Sequence, residues 1–287
     1  MTVRFHVTFI ACLVLALGGT SPLRAQVDLY IAHVADGGGY FTQVSVHNPG
    51  GNNAANCTFS TFDDQGNPLD LVYDATAADA TASVHRRSGA IPADATPASS
   101  LKFSVIPFAT FTTETNGAGG ANGAILQGGA ELSCDNTVIG GATYWLTTSA
   151  GEIVTGIGVP ATASSTTFFR AIGGNYNTAF AIFNSTNSTN FVTIEAFDDT
   201  GANSYGPTSV GIDANGHYAF NANASDVNLG LPSDFSGSFR LNSGQGFVAI
   251  ALGVQSTTTN EAGYVLFTIP TQSGPISGID AEAKTVR

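Results

Sequence analysis

One stretch of this chain is written twice, and that repetition limits the fold more than any other feature. Ala35-Asp36-Gly37-Gly38-Gly39-Tyr40-Phe41-Thr42 recurs as Ala171-Ile172-Gly173-Gly174-Asn175-Tyr176-Asn177-Thr178. The next positions stay in step: Val44 and Val46 correspond to Phe180 and Ile182, and Asn48 to Asn184. After a one-residue gap, Phe59, Phe62, Asp63, Asp64 and Gly66 correspond to Ile194, Phe197, Asp198, Asp199 and Gly201. Further on, Leu132 to Cys134 resembles Phe239 to Leu241, and each copy closes near a proline, Pro160 or Pro270. The 287 residues therefore read as two modules, 26–165 and 166–272, followed by a flexible tail, 273–287.

Inside each module the hydrophobic period is two, not 3.6. Val44/Val46 and Phe180/Ile182 alternate with more polar neighbours, and Gly, Asn, Asp and Pro clusters separate the runs. No amphipathic helix is evident. The expected fold is all-β: two tandem antiparallel β-sandwiches, immunoglobulin-like or jelly-roll-like, with a barrel as the competing architecture. The triple glycine at 37–39, kept as Gly173-Gly174, reads as a bend between strands.

Residues 1–25 have the three parts of a secretory signal peptide: Arg4 near the start, an apolar run from Val7 to Leu17, and a small residue, Ala25. The apolar run is shorter than the ~20 residues of a membrane crossing. Cleavage removes Arg4 and Arg24 from nine bases, leaving seven against twenty-one acids and a net charge of −14. So few bases exclude a nucleic-acid partner and an anionic lipid surface. The expected location is outside the cytoplasm, secreted, periplasmic or at the cell surface, without membrane insertion.

Two cysteines remain, Cys57 and Cys134. An even count in an exported chain predicts a disulfide. The repeat supports it: Cys57 falls on Val192 and Cys134 on Leu241, apolar positions expected to face a common core.

The copies differ mainly at Val72–Leu101, an Ala/Asp/Thr/Pro-rich insertion in the first. It holds Arg86 and Arg87, a candidate contact for an acidic partner, with a solvated turn as the plain alternative. Asn116–Gly123 (NGAGGANG) could cradle a phosphate, but no Lys-Ser/Thr follows, so a hairpin loop fits better. Asp63-Asp64 and Asp198-Asp199 are candidate calcium ligands, yet their spacing is not that of an EF-hand, and a tight turn closed by Gly66 or Gly201 accounts for them. Calcium is the one cofactor this pattern allows for. Tyr40 and Tyr176 are candidate ligand or partner contacts. Trp145 and its neighbour Tyr144 must point to opposite faces of a strand and cannot form one sugar platform. His33 aligns with Phe169 and His47 with Phe183, which favours packing over catalysis. No HExxH or G-x-S-x-G sequence occurs.

The A-D-G-G-G-Y-x-T opening, His47-Asn48-Pro49 and F-D-D-x-G together resemble a tandem β-sandwich module of uncharacterised exported bacterial proteins. The likeness covers about thirty-five residues per half, and the second copy departs from it at Ile172 and Ser185. It implies export and a sandwich fold and carries no activity. The resulting expectation is a non-catalytic secreted protein acting by binding or assembly at the cell surface or in the extracellular matrix. Its partner is an unknown protein or glycan, or another copy joined through strand edges. A carbohydrate-binding accessory module is the alternative, and a secreted hydrolase using the insertion is the third reading.

Overall fold

The computed structural model describes residues 26–73, 96–148, 150–172, 177–222, 227–233, 235–256, 264–269 and 272–273. Residues 1–25, most of the insertion and nearly all of the tail lie outside these residues.

The chain is all-β and antiparallel. The first half contributes β1 (Val27–Asp36), β2 (Tyr40–His47), β3 (Ala55–Phe62), β4 (Ser100–Val105), β5 (Thr110–Glu114), β6 (Leu126–Cys134), β7 (Ile139–Thr147) and β8 (Ile153–Pro160). They form two sheets, ordered β1-β6-β3-β4 and β5-β2-β7-β8. The alternation predicts which side chains point inward. Val44 and Val46 of β2, Phe59 of β3, Leu132 of β6 and Tyr144 of β7 are all buried in one core. Burial of each such side chain is worth about 2 kcal/mol.

The second half repeats this plan with one economy. Its strands are β9 (Ser165–Ile172), β10 (Asn177–Asn184), β11 (Asn190–Asp198), β12 (Ser204–Ile212), β13 (His217–Asn221), β14 (Gly237–Ser256), β15 (Tyr264–Ile269) and a two-residue β16 (Gln272–Ser273) beside β9. β14 does the work of two strands. Its first part, Gly237–Asn242, lies between β11 and β9; its second, Phe247–Val254, pairs β10, and Ala251–Ser256 pairs β15. The orders β9-β14-β11-β12 and β13-β10-β14-β15 thus match β1-β6-β3-β4 and β5-β2-β7-β8 strand for strand. In the first half the loop Asp135–Val138 separates β6 from β7, whereas in the second the chain runs on through Ser243–Gly246.

Cys57 and Cys134 are bonded, with Cα atoms 4.2 Å apart. They are direct cross-strand partners on β3 and β6. The bridge therefore ties neighbours within one sheet rather than facing sheets. It also corrects the alignment. The pairings Phe59–Leu132 and Ile194–Leu241 make Leu132 the counterpart of Leu241, so Cys134 corresponds to Ser243. Ser243 is buried and donates its hydroxyl to Asn190. A polar residue thus occupies the place the apolar alignment assigned to Leu241, while Val192 opposite it stays apolar and buried.

The insertion is pinned at its base by bridges Leu71–Ala98 and Tyr73–Thr115. The glycine-rich segment folds back on Asp36, which is buried and accepts bonds from the amides of Gly117 (2.8 Å) and Gly119 (2.9 Å). Its amides cradle a carboxylate of the chain itself. Contact is close enough that a Cβ on Gly37 (φ +91°) would lie 2.5 Å from the Gly119 Cα.

Candidate functional site

Both acidic turns are local staples. Asp63 accepts from the amides of Gln65 and Asn67, and Asp198 from those of Thr200 and Ala202. Hydrogen bonds from the Thr200 hydroxyl and the Asn203 amide bring the Asp198 pKa down to about 2. Asp199 is exposed. Among the described residues no group of three or more His, Cys, Asp or Glu side chains is placed to hold a metal. Tyr40 is half-buried with its ring edge toward Tyr144 (6.5 Å). Tyr176, Arg86 and Arg87 lie outside the described residues.

Asp64 has a role its turn does not reveal. Its carboxylate meets Nδ1 of His217 at 2.7 Å, and Nε2 of His217 meets Nδ1 of His33 at 2.9 Å. Nδ1–H of His217 donates to Asp64, and its Nε2 shares one hydrogen bond with Nδ1 of His33, so the three side chains form one part-buried row. Burial, then the neighbouring His217, pushes the His33 pKa down to about 3. For Asp64, burial acts upward, but the bond from His217 and that ring's charge prevail and hold the carboxyl below its ordinary value. An Asp–His pair of this kind orients a nucleophile in many hydrolases. Here the second imidazole nitrogen is taken by His33, not by a hydroxyl.

The three side chains come from different halves, and they mark the joint between them. The outer face of sheet β1-β6-β3-β4 lies on the outer face of sheet β13-β10-β14-β15. Phe183 sits at its centre, with Tyr30 at 6.1 Å and Phe62 at 6.0 Å. A Cβ on Gly129 would come within 2.2 Å of the Phe183 ring. The covered face is apolar: Ala181, Phe183, Val248, Ile250 and Leu252 are all buried.

Among the described residues nothing covers the same face of the first half in this way. By register, Ser45, His47, Thr110, Ile139, Gly141 and Thr143 stand where Ala181, Phe183, His217, Val248, Ile250 and Leu252 stand in the second. These six residues line an open groove of about 520 Å³. Ile139 is 63% exposed. Beside the groove, on the same sheet face, Trp145 lies over Gly156 and stacks on Phe41 at 6.5 Å.

Strand edges are less available than the alternating pattern suggests. β12 carries Pro207, β4 carries an exposed Lys102, β1 is bridged by Thr162, and the Gly158 carbonyl of β8 accepts from Thr268. Each feature hinders addition of a further strand.

Comparison of the chain with protein-family models, curated proteins and solved structures finds no match. The functional reading rests on this geometry. Sequence reasoning reached Asp64 but not its partners, because His217 is 153 positions away and stands where the first copy has Thr110. The groove had a faint signal, the change from apolar to small polar residues at matching positions.

Proposed function

We propose that this chain is an exported, non-catalytic double sandwich that works by binding or assembly at the cell surface or in the extracellular matrix. The observation that carries the reading is the unequal treatment of one sheet face. In the second half it is apolar and covered by the first half; in the first half it is a groove of about 520 Å³ lined mainly by small and polar side chains beside an exposed Ile139. Such a surface suits a protein or glycan contact. The signal-like segment and the acidic balance support export and argue against polyanion partners.

The test is rebinding of the purified mature protein to the envelope and matrix of the producing cells. Saturable binding that Thr143→Arg weakens is the expected result. Binding that is absent, or indifferent to this change, counts against the reading. Trp145 beside the groove favours a glycan ligand as the second reading, since a flat indole can stack on a sugar ring. Glycan-array binding lost in Trp145→Ala would select it.

A further inference from the structure

The joint inside the chain uses two surfaces, and the repeat supplies each of them twice. One surface is the outer face of the first sheet of a module; the other is the outer face of the second sheet. The internal joint consumes the first-sheet face of the first half and the second-sheet face of the second half. Among the described residues its two counterparts remain uncovered: the groove on the first half, and the outer face of sheet β9-β14-β11-β12 on the second.

We propose that these two free faces join in trans, so that a second copy of the chain seats its second half on the groove of the first, forming a head-to-tail row. This deepens the assembly reading above and rests on it.

The register says what would meet what. In the internal joint Phe183 packs against Phe62 and Gly129. Their counterparts are His47 on the groove side and Phe197 and Ser238 on the partner side. The Asp64–His217 contact becomes Asp199 against Thr110. Asp199 is exposed, and Thr110 is already bonded to Nδ1 of His47 at 3.1 Å. The acid–ring arrangement of the internal joint is therefore available again, with a hydroxyl between acid and imidazole. Around it the partner face presents Thr193 and Arg240; Arg240 pairs with Glu195 at 2.8 Å and lies 5.4 Å from the Phe197 ring centre. These groups meet Ser45, Thr143 and Gly141.

The two faces are different surfaces, so the contact is heterologous. Repetition of one rigid step extends into an open row rather than a closed dimer. The polar composition makes the contact weaker than the internal one, which buries five apolar side chains on one face alone. Reversible, concentration-dependent assembly follows.

Sedimentation velocity of the mature protein over a concentration series tests this. The wild type should show a weight-average sedimentation coefficient that climbs with concentration. Thr143→Arg in the groove and Ser238→Arg on the opposite face should each remain monomeric, with circular dichroism unchanged. An equimolar mixture of the two variants should form a dimer and stop there, since each retains one good face. The milder Thr110→Ala and Asp199→Ala should shift the series to about tenfold higher concentration, the effect of one hydrogen bond near 1.4 kcal/mol. A wild type that stays monomeric throughout overturns the proposal, as does a ladder that none of the four changes affects. A monomer that still rebinds cells overturns the trans joint and leaves the surface-binding reading in place; loss of both removes both.

Discussion

Asn48 and Asn184 occupy the same place in the two halves. Each is fully buried, and each donates its side-chain amide to the carbonyl closing a strand, Val105 of β4 at 2.9 Å and Ile212 of β12 at 3.1 Å. Their carbonyl oxygens in turn accept a loop amide, that of Gly50 or of Thr186. A buried loop needs its backbone groups satisfied, and here Asn48 satisfies three of them and Asn184 four.

Asn48→Leu and Asn184→Leu should therefore each cost about 2–3 kcal/mol, the expense of buried backbone groups left unpaired. Urea unfolding measures it. A loss below about 0.5 kcal/mol at both positions would contradict the role.

The disulfide closes a segment of 77 residues, so its removal should lower stability by about 4 kcal/mol through freedom returned to the unfolded chain. A chain of residues 26–287 denatured without reductant should show no free thiol. Cys57→Ser with Cys134→Ser should unfold at lower denaturant.

Gly66 and Gly201 are matched turn residues with positive φ, +79° and +68°. A Cβ on Gly66 would stand 1.9 Å from the Ala214 carbonyl across the joint, whereas one on Gly201 meets nothing within 4 Å. Gly201→Ala should cost about 1 kcal/mol of backbone strain. Gly66→Ala should cost clearly more and enlarge the radius of gyration in small-angle scattering, because it also prises the halves apart.

The joint should weaken in acid. The pKa of His33 is brought down from 6.5 to about 3 by burial and His217, so the folded chain refuses a proton that the unfolded chain accepts. Its contribution is complete above about pH 6.5 and declines as the pH falls toward about 3. Asp64, whose carboxyl is also held down, loses its contribution in the same direction as acid protonates it. The urea midpoint should fall between about pH 7 and about pH 5, and His33→Phe should flatten that fall.

Asp36→Ala should free the glycine-rich segment, since two of its amides lose their acceptor. Hydrogen exchange at residues 116–123 should quicken while exchange in β6 stays slow. Ile172 is aligned with Asp36 in residue order, but in the strands it pairs Gly237 as Val34 pairs Gly128.

Much of this was open to reading from residue order. Alternation marked strands because successive side chains point to opposite faces. The repeat located both halves, the turn chemistry of Asp63 and Asp198 followed from local bonding, and two cysteines in an export-type chain implied a bridge. These are properties of neighbours along the chain or of matched copies. The strand order 1-6-3-4 against 5-2-7-8, the continuity of β14, the shift from Leu241 to Ser243 and the Asp64–His217–His33 contact were not legible. They depend on which surfaces meet once the strands have paired, between residues as much as 184 positions apart. Residue order by itself determined two similar sandwiches. Only packing decided that one is the cover of the other, because the copies bury the same face to different extents and only the second filled it with apolar side chains.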